Sequence, residues 1–246
     1  MAYRPRKTRA HVTTEIQRAH NHNETPDLQD WLLHNTDLHN TDLHNTNLHG
    51  ANLDGADLTG TNLTDANLQN ANLTDTYIRE STLTRTNLTG AQLQEANLSY
   101  SNLTGANLTN THLHNAWLVE TQLTNANLTR ATLTNTDASL ANLQNANLTH
   151  TNLSHTALRS TNLTGANLTH TNLTGANLTD ATYNPHQLLN TRGLNPTNKH
   201  HGIPKETWDQ ILPTHPELRE LTKQLLHDWD GTLQEAIDTA ELLRAA

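Results

Sequence analysis

From Thr36 to Pro185 the chain repeats itself every five residues, through about thirty units without an insertion or deletion. Successive units read TNLTD at 61–65, ANLQN at 66–70 and ANLTD at 71–75. The third residue, the centre, is Leu from Leu38 to Leu178 except at Ile78 and Ala138, and Tyr183 closes the series. Two places before each centre stands Ala, Thr or Ser. A period of five fits neither regular structure. On a helix, at about 100° per residue, the leucines would spiral round the whole surface, and on a flat strand the odd spacing would throw them alternately to opposite faces. Within a unit the small residue and the leucine are two apart and share one side of an extended segment. Both point inward if the chain bends once per unit. The residues two places after the centre, such as Gly60, Asp65, Asn70, Gly90, Gly105 and Gly165, tolerate corner geometry.

This A/T-N-L-T-G/N pattern resembles the pentapeptide-repeat family over about 150 of the 246 residues. The resemblance implies an all-β solenoid, a right-handed, four-sided β-helix with four units per coil. That gives about 7–8 coils, stacked roughly 4.8 Å apart. The residues support a twenty-residue coil: Asn47, Asn67, Asn87, Asn107, Asn127, Asn147 and Asn167 form an unbroken series. Some family members are DNA-mimicking binders of type II topoisomerases such as DNA gyrase, conferring quinolone tolerance or toxin immunity. Several dimerise through a C-terminal helical element. This chain departs from the resistance members in having no loop insertions, no Phe at its centres and modest charge.

Composition would otherwise point to disorder, with 33% hydrophobic residues, no Phe and a mean hydropathy of −0.72. A narrow solenoid needs only one leucine and one small residue inside per unit. With no cysteine there is no disulfide scaffold and no thiolate metal site. The sequence shows neither an eighteen-residue apolar run nor a signal-peptide core, so a cytoplasmic location is expected.

Residues 1–24 read as a basic, partly disordered arm, with Arg4, Arg6, Lys7, Arg9 and Arg18 against Glu15, although Val12, Ile16 and Ala19 lie at helical spacing. This arm is the one segment suited to direct nucleic-acid contact. Over 25–35, Thr25 as N-cap, Pro26 at the first helical position and Leu28, Trp31 and Leu32 behind them predict a short helix capping the first coil. The solenoid proper is assigned to 36–185. Residues 186–246 read as a helical cap or dimerisation segment: a short helix from Pro185, another over 204–212, then two apolar stripes. The first holds Leu218, Leu221, Leu225 and Trp229, and the second Leu233, Ile237 and Leu243 behind a Thr232/Glu235 capping box. Such a hairpin either caps the last coil or pairs with another copy in a homodimer.

Steps of twenty divide the solenoid into four sides. Those centred on Leu48–Leu168 and Leu43–Leu163 are monotonous Asn and Thr, and the side centred on Leu53–Leu173 is intermediate. The fourth, with centres Leu38, Leu58, Ile78, Leu98, Leu118, Ala138, Leu158 and Leu178, breaks the pattern repeatedly. Its outward places hold Tyr77, Arg79, Glu80, Tyr100, Trp117, Val119, Glu120, Asp137, Leu140 and Arg159, which mark a partner-binding face. Within the chain, the competing reading is that the C-terminal helices fold back over Tyr77 and Trp117. At Ala138, where a core leucine is missing, Leu140 is expected to swing inward or a bulge to form.

The repeat carries eleven acidic residues against four arginines and no lysine. Six lie on the irregular side, Asp37, Asp57, Glu80, Glu120, Asp137 and Asp180, and are the candidates for mimicry of DNA phosphates toward a DNA-binding enzyme. His39, His44 and His49 fall on successive sides and cannot share an ion, whereas His150 and His170 stack on one. The repeated Asn-Leu-Thr sequons are by-products of the repeat. Ser, His and Asp side chains face outward on a convex rod without a pocket to order a nucleophile. The expectation is a non-catalytic protein-interaction rod without metal or cofactor. Topoisomerase modulation by charge mimicry is the first alternative, and ice or ordered-surface binding through the Thr ladders a remote one.

Overall fold

In the computed structural model, which describes residues 6–195, 199–227 and 230–245, the repeat winds into a four-sided solenoid. Residues twenty apart pair in parallel on all four sides, from Asp27 with Asn47 to Asn172 with Arg192. Each pairing is a single bridge rather than a strand, because the chain turns again after five residues. The fold is therefore all-β in its hydrogen bonding while containing no extended strand among the described residues.

The unit's sequence follows from its five backbone N–H groups. Around Asn67, the centre Leu68 donates to Asn87 O in the next coil at 2.7 Å, and the corner residue Asn70 donates to Thr89 O at 3.0 Å. Asn67 itself donates back to Thr46 O at 3.0 Å, and Ala71 closes the turn onto Leu68 O at 3.0 Å. The fifth donor, on the residue after the centre, is taken by the Asn side chain: Gln69 N–H donates to Asn67 Oδ1 at 3.3 Å. The amide's nitrogen then donates to Asn47 Oδ1 one coil below, at 3.2 Å. An Asn before each centre thus completes what the backbone leaves open. Every corner residue has positive φ, for example 57° at Asn70 and 67° at Gly60, the signature of a type II turn at its third place. Inside, leucines and small residues form one continuous apolar column. Threonine can replace alanine in that column because its buried hydroxyl donates to a carbonyl below, as Thr86 does to Leu63 O at 2.7 Å.

The N-terminal end differs from expectation. Residues 26–35 are the first units of the solenoid, with Leu28 and Leu33 fully buried and positive φ at Asp30 and Asn35. Pro26 and Trp31 occupy the small-residue places there; no coil lies beneath to exclude their bulk, and both carbonyls accept ladder bonds from Asn47 and Asn52. The helix is instead α1 (Arg9–His22), which sets Val12 and Ala19 onto the open end. The basic residues described there are not a free arm. Arg6 donates to Asn35 O, Lys7 lies 5.0 Å from the Trp31 ring, and Arg18 is held by Glu15 and Glu24. Arg4 lies outside the described residues.

At the other end Leu188, in the 3₁₀ turn Pro185–Leu188, continues the leucine column, and Gln187 Nε2 donates to the carbonyls of Leu163 and Ala166. Leu178 N–H donates to His201 O at 2.8 Å. Helices α2 (Lys205–Ile211), α3 (Pro216–Leu225) and α4 (Leu233–Ala245) follow, α3 packing on α4. Trp208, Ile211, Leu226, Leu233 and Ile237 join the solenoid's core, so this segment sits on the last coil. Thr232 and Glu235 form the capping box that opens α4. Leu218 is buried, Leu221 and Leu225 are half-buried, Leu242 and Leu243 stand in solvent, and Trp229 lies outside the described residues. No helix among the described residues is long and apolar enough to cross a membrane.

Candidate interaction face

The irregular side is a single physical surface. Asp37, Asp57, Tyr77, Asn97, Trp117, Asp137, Ala157 and Asn177 bridge in sequence, one per coil, so Tyr77 and Trp117 lie two coils apart in one column. Glu80, Tyr100, Glu120 and Leu140 occupy the adjoining corners, with φ between 56° and 65°. Tyr77 is 56% exposed, Tyr100 49%, Trp117 48% and Leu140 53%. Among the described residues these are the only exposed large hydrophobic side chains of the solenoid, and all four stand on this side. They are staggered, in the bridge column at Tyr77 and Trp117 and in the corner column at Tyr100 and Leu140. The C-terminal helices leave Tyr77 and Trp117 uncovered because they pack on the end of the column, through Trp208, Ile211, Leu226, Leu233 and Ile237.

Leu140 does not swing inward. Its N–H donates to Arg159 O at 2.8 Å, and Ala138 keeps its ladder bond to Ala157 O at 2.9 Å and its turn bond from Ala141 at 3.2 Å. Rotating Leu140 into the core would break the corner bond that holds this coil to the next.

The charges do not form an acidic stripe. Arg79 lies 5.7 Å from the Tyr100 ring, beside Glu80, and Arg159 stands exposed near Leu140. Asp37 bonds to His39 and lies 3.7 Å from Arg9, and these partners, His39 first, hold its carboxyl below the usual range. Glu80, Glu120 and Asp180 are exposed, while Asp57 and Asp137 are half-buried and accept from Thr59 and Ser139 N–H. Asp37, His39 and Asp57 bring ligand-type atoms within 4.8 Å of one another, but they are largely exposed and Arg9 already pairs with Asp37. His150 and His170 stack with ring centroids 4.9 Å apart.

A family model described as pentapeptide repeats (8 copies) matches residues 32–70, 71–110, 106–145 and 141–180. A search of curated proteins gave no match. Among solved structures, HetL, a pentapeptide repeat protein involved in heterocyst differentiation regulation from Nostoc sp. strain PCC 7120, is 33% identical. That alignment covers 67% of this chain and 75% of HetL, with a TM-score of 0.31. Rfr23 from Cyanothece 51142 is 40% identical over 38% of this chain and 64% of its own, with a TM-score of 0.37. QnrB1, a plasmid-mediated fluoroquinolone resistance protein, is 17% identical over 62% and 82% of the two chains, with a TM-score of 0.48. With the family model spanning the solenoid and each unit of the structure built on the same five-residue turn, the chain belongs to the pentapeptide-repeat family.

Proposed function

We propose that this chain is a non-catalytic binding rod whose irregular face docks a protein. One observation carries the reading: every exposed large hydrophobic residue described in the solenoid stands on one of its four sides. Aromatic residues on an otherwise Asn- and Thr-covered rod are the composition of a contact patch, and mixed charges around them supply a polar rim. Because Tyr77 and Trp117 are half-exposed, they contribute little to folding and are available to a partner. The test is the pair Trp117→Ser and Tyr77→Ser against Gln144→Ser, an exposed residue on a regular side. Thermal unfolding should change little for the first pair, while oligomeric state or capture of protein partners changes for that pair alone. Equal behaviour of all three variants in both measurements would refute the reading.

Charge mimicry of DNA toward a topoisomerase has weaker support. Arginines interleave with the acids on the irregular face, and Asp37 is engaged by His39 and Arg9. A gyrase supercoiling assay decides it: inhibition or protection from a quinolone at micromolar protein, lost on Glu80→Lys with Glu120→Lys, would reinstate that reading.

A further inference from the structure

Resting on the reading of this side as a contact face, we infer that its partner is a second copy of the chain, docked antiparallel with the two Trp117 rungs on a two-fold axis. An axis lying between two such faces, perpendicular to both rods, reverses the order of coils but keeps the columns in register. A residue one coil below Trp117 then meets the residue one coil above it on the partner.

About this axis the departures from the repeat complement one another. Tyr77 meets the partner's Ala157, a ring against a methyl group. Ala157 is the only alanine at its place in the unit anywhere in the solenoid. Tyr100 meets the partner's Leu140, and these are the only tyrosine and the only leucine at corners. Asn97 meets the partner's Asp137, an amide donor against a carboxylate, while Trp117 and Val119 meet their own copies. Shifting the axis half a coil toward the N-terminus would press Tyr77 on the partner's Asp137 and Tyr100 on the partner's Glu120, desolvating carboxylates against rings. Two like-charge contacts remain in the favoured register. Arg79 faces the partner's Arg159, with Glu80 beside both and the Arg79 guanidinium turned toward Tyr100. Glu120 faces its own copy at the exposed corner.

Eight rungs about 4.8 Å apart and sides roughly 13 Å wide give a flat area on the order of 500 Å² per copy. Together the two copies approach the roughly 1,000 Å² at which specific association begins, so the dimer should dissociate on dilution.

The chain contains no cysteine, which makes the register directly testable. Trp117→Cys, treated with a short bis-maleimide, should give a cross-linked dimer. Tyr77→Cys alone should give at least about tenfold less, since its copy on the partner lies about four coil spacings away, or roughly 19 Å along the rod. Tyr77→Cys combined with Ala157→Cys should restore the product. Light scattering of the unmodified chain should show mass rising from one to two copies with concentration, and Trp117→Ser should remain monomeric. Equal cross-linking of the Tyr77→Cys and Trp117→Cys variants, or a constant monomer mass, would overturn the antiparallel dimer. If the chain stays monomeric yet Trp117→Ser abolishes capture of another protein, the contact face stands and the second copy falls. If Trp117→Ser changes neither, both readings fall. Unchanged thermal unfolding of each cysteine variant confirms that the outward substitutions leave the coil intact.

Discussion

Ala138 is the one centre with neither a long aliphatic side chain nor an aromatic ring, and the coil around it keeps its shape. Its ladder bond to Ala157 O, 2.9 Å, is close to those of the flanking centres, 2.7 Å at Leu118 and 2.8 Å at Leu158. The corner at Leu140 has φ 62°, like the others. Coil spacing is fixed by ladders on all four sides, so the solenoid cannot collapse locally around a missing isopropyl group. Ala138→Leu should therefore fill space between Leu118 and Leu158 rather than force the coils apart. Three added carbons are worth about 2.4 kcal/mol of transfer at roughly 0.8 kcal/mol per CH₂, and relief of the cavity raises the expected gain to about 2–4 kcal/mol. In urea, with a slope near 3 kcal/mol/M, the midpoint should rise by about 1 M at unchanged slope. Leu118→Ala, the reverse change one coil away, should cost about 3–5 kcal/mol. A midpoint for Ala138→Leu that falls, as overpacking by about 1–3 kcal/mol would make it, would show that the coil has closed on the alanine and that the rigid-ladder argument is wrong.

Three further outcomes follow from the unit's hydrogen bonding and from the C-terminal cap. Asn67→Ala removes the acceptor for Gln69 N–H and both amide contacts along its column, to Asn47 and from Asn87, and should cost about 1–2 kcal/mol by chemical denaturation. Gly165→Ala should destabilise more than Gly105→Ala, because a Cβ at 165 runs into Asn145 Oδ1 whereas at 105 it meets only Arg85 Cγ at 3.7 Å; equal melting temperatures would contradict this. His201 is buried on the last coil with Nδ1 3.0 Å from Ala176 O, and burial pushes its pKa below the ordinary 6.5. The unfolded chain then takes the proton more readily, so stability is full above about pH 6.5 and is lost as pH falls toward the folded-state value. The protection factor of Leu178 N–H, which donates to His201 O, should fall between pH 7 and 5, and His201→Asn should flatten that dependence.

The solenoid could be read from sequence because each unit solves the same problem with its own residues: a leucine and a small residue inside, an Asn to finish the hydrogen bonds, a corner residue suited to positive φ. The irregular side followed from counting in twenties. What could not be read lies where that local rule stops. Pro26 and Trp31 resemble a helix start and stripe only because the first coil has no neighbour below, and that is a fact about stacking rather than local pattern. Helix α1 has Val12, Ile16 and Ala19 at helical spacing among polar residues, a face too narrow to announce itself until a solenoid end is there to receive it. Leu140 illustrates the opposite error. Judged by volume it belongs in the hole beside Ala138, but the corner hydrogen bond, invisible in composition, keeps it outside.

That last contest between packing and hydrogen bonding bears on why the irregular face exists. Where the place before the centre is Asn or Asp, the side chain accepts from the N–H two residues on, as Asn97 does from Ser99 at 3.1 Å and Asp137 from Ser139 at 3.0 Å. Tyr77, Trp117 and Ala157 surrender that bond. Other sides surrender it too, at Gln92, Thr132 and Gln122, but to polar residues that leave the surface wettable. At Tyr77 and Trp117 the exchange sacrifices a hydrogen bond and also sets aromatic surface in water, so the isolated chain is penalised twice. Burial within the chain does not offset either loss, since both rings remain about half exposed. On the proposed reading, a partner that covers both rings supplies the compensating free energy.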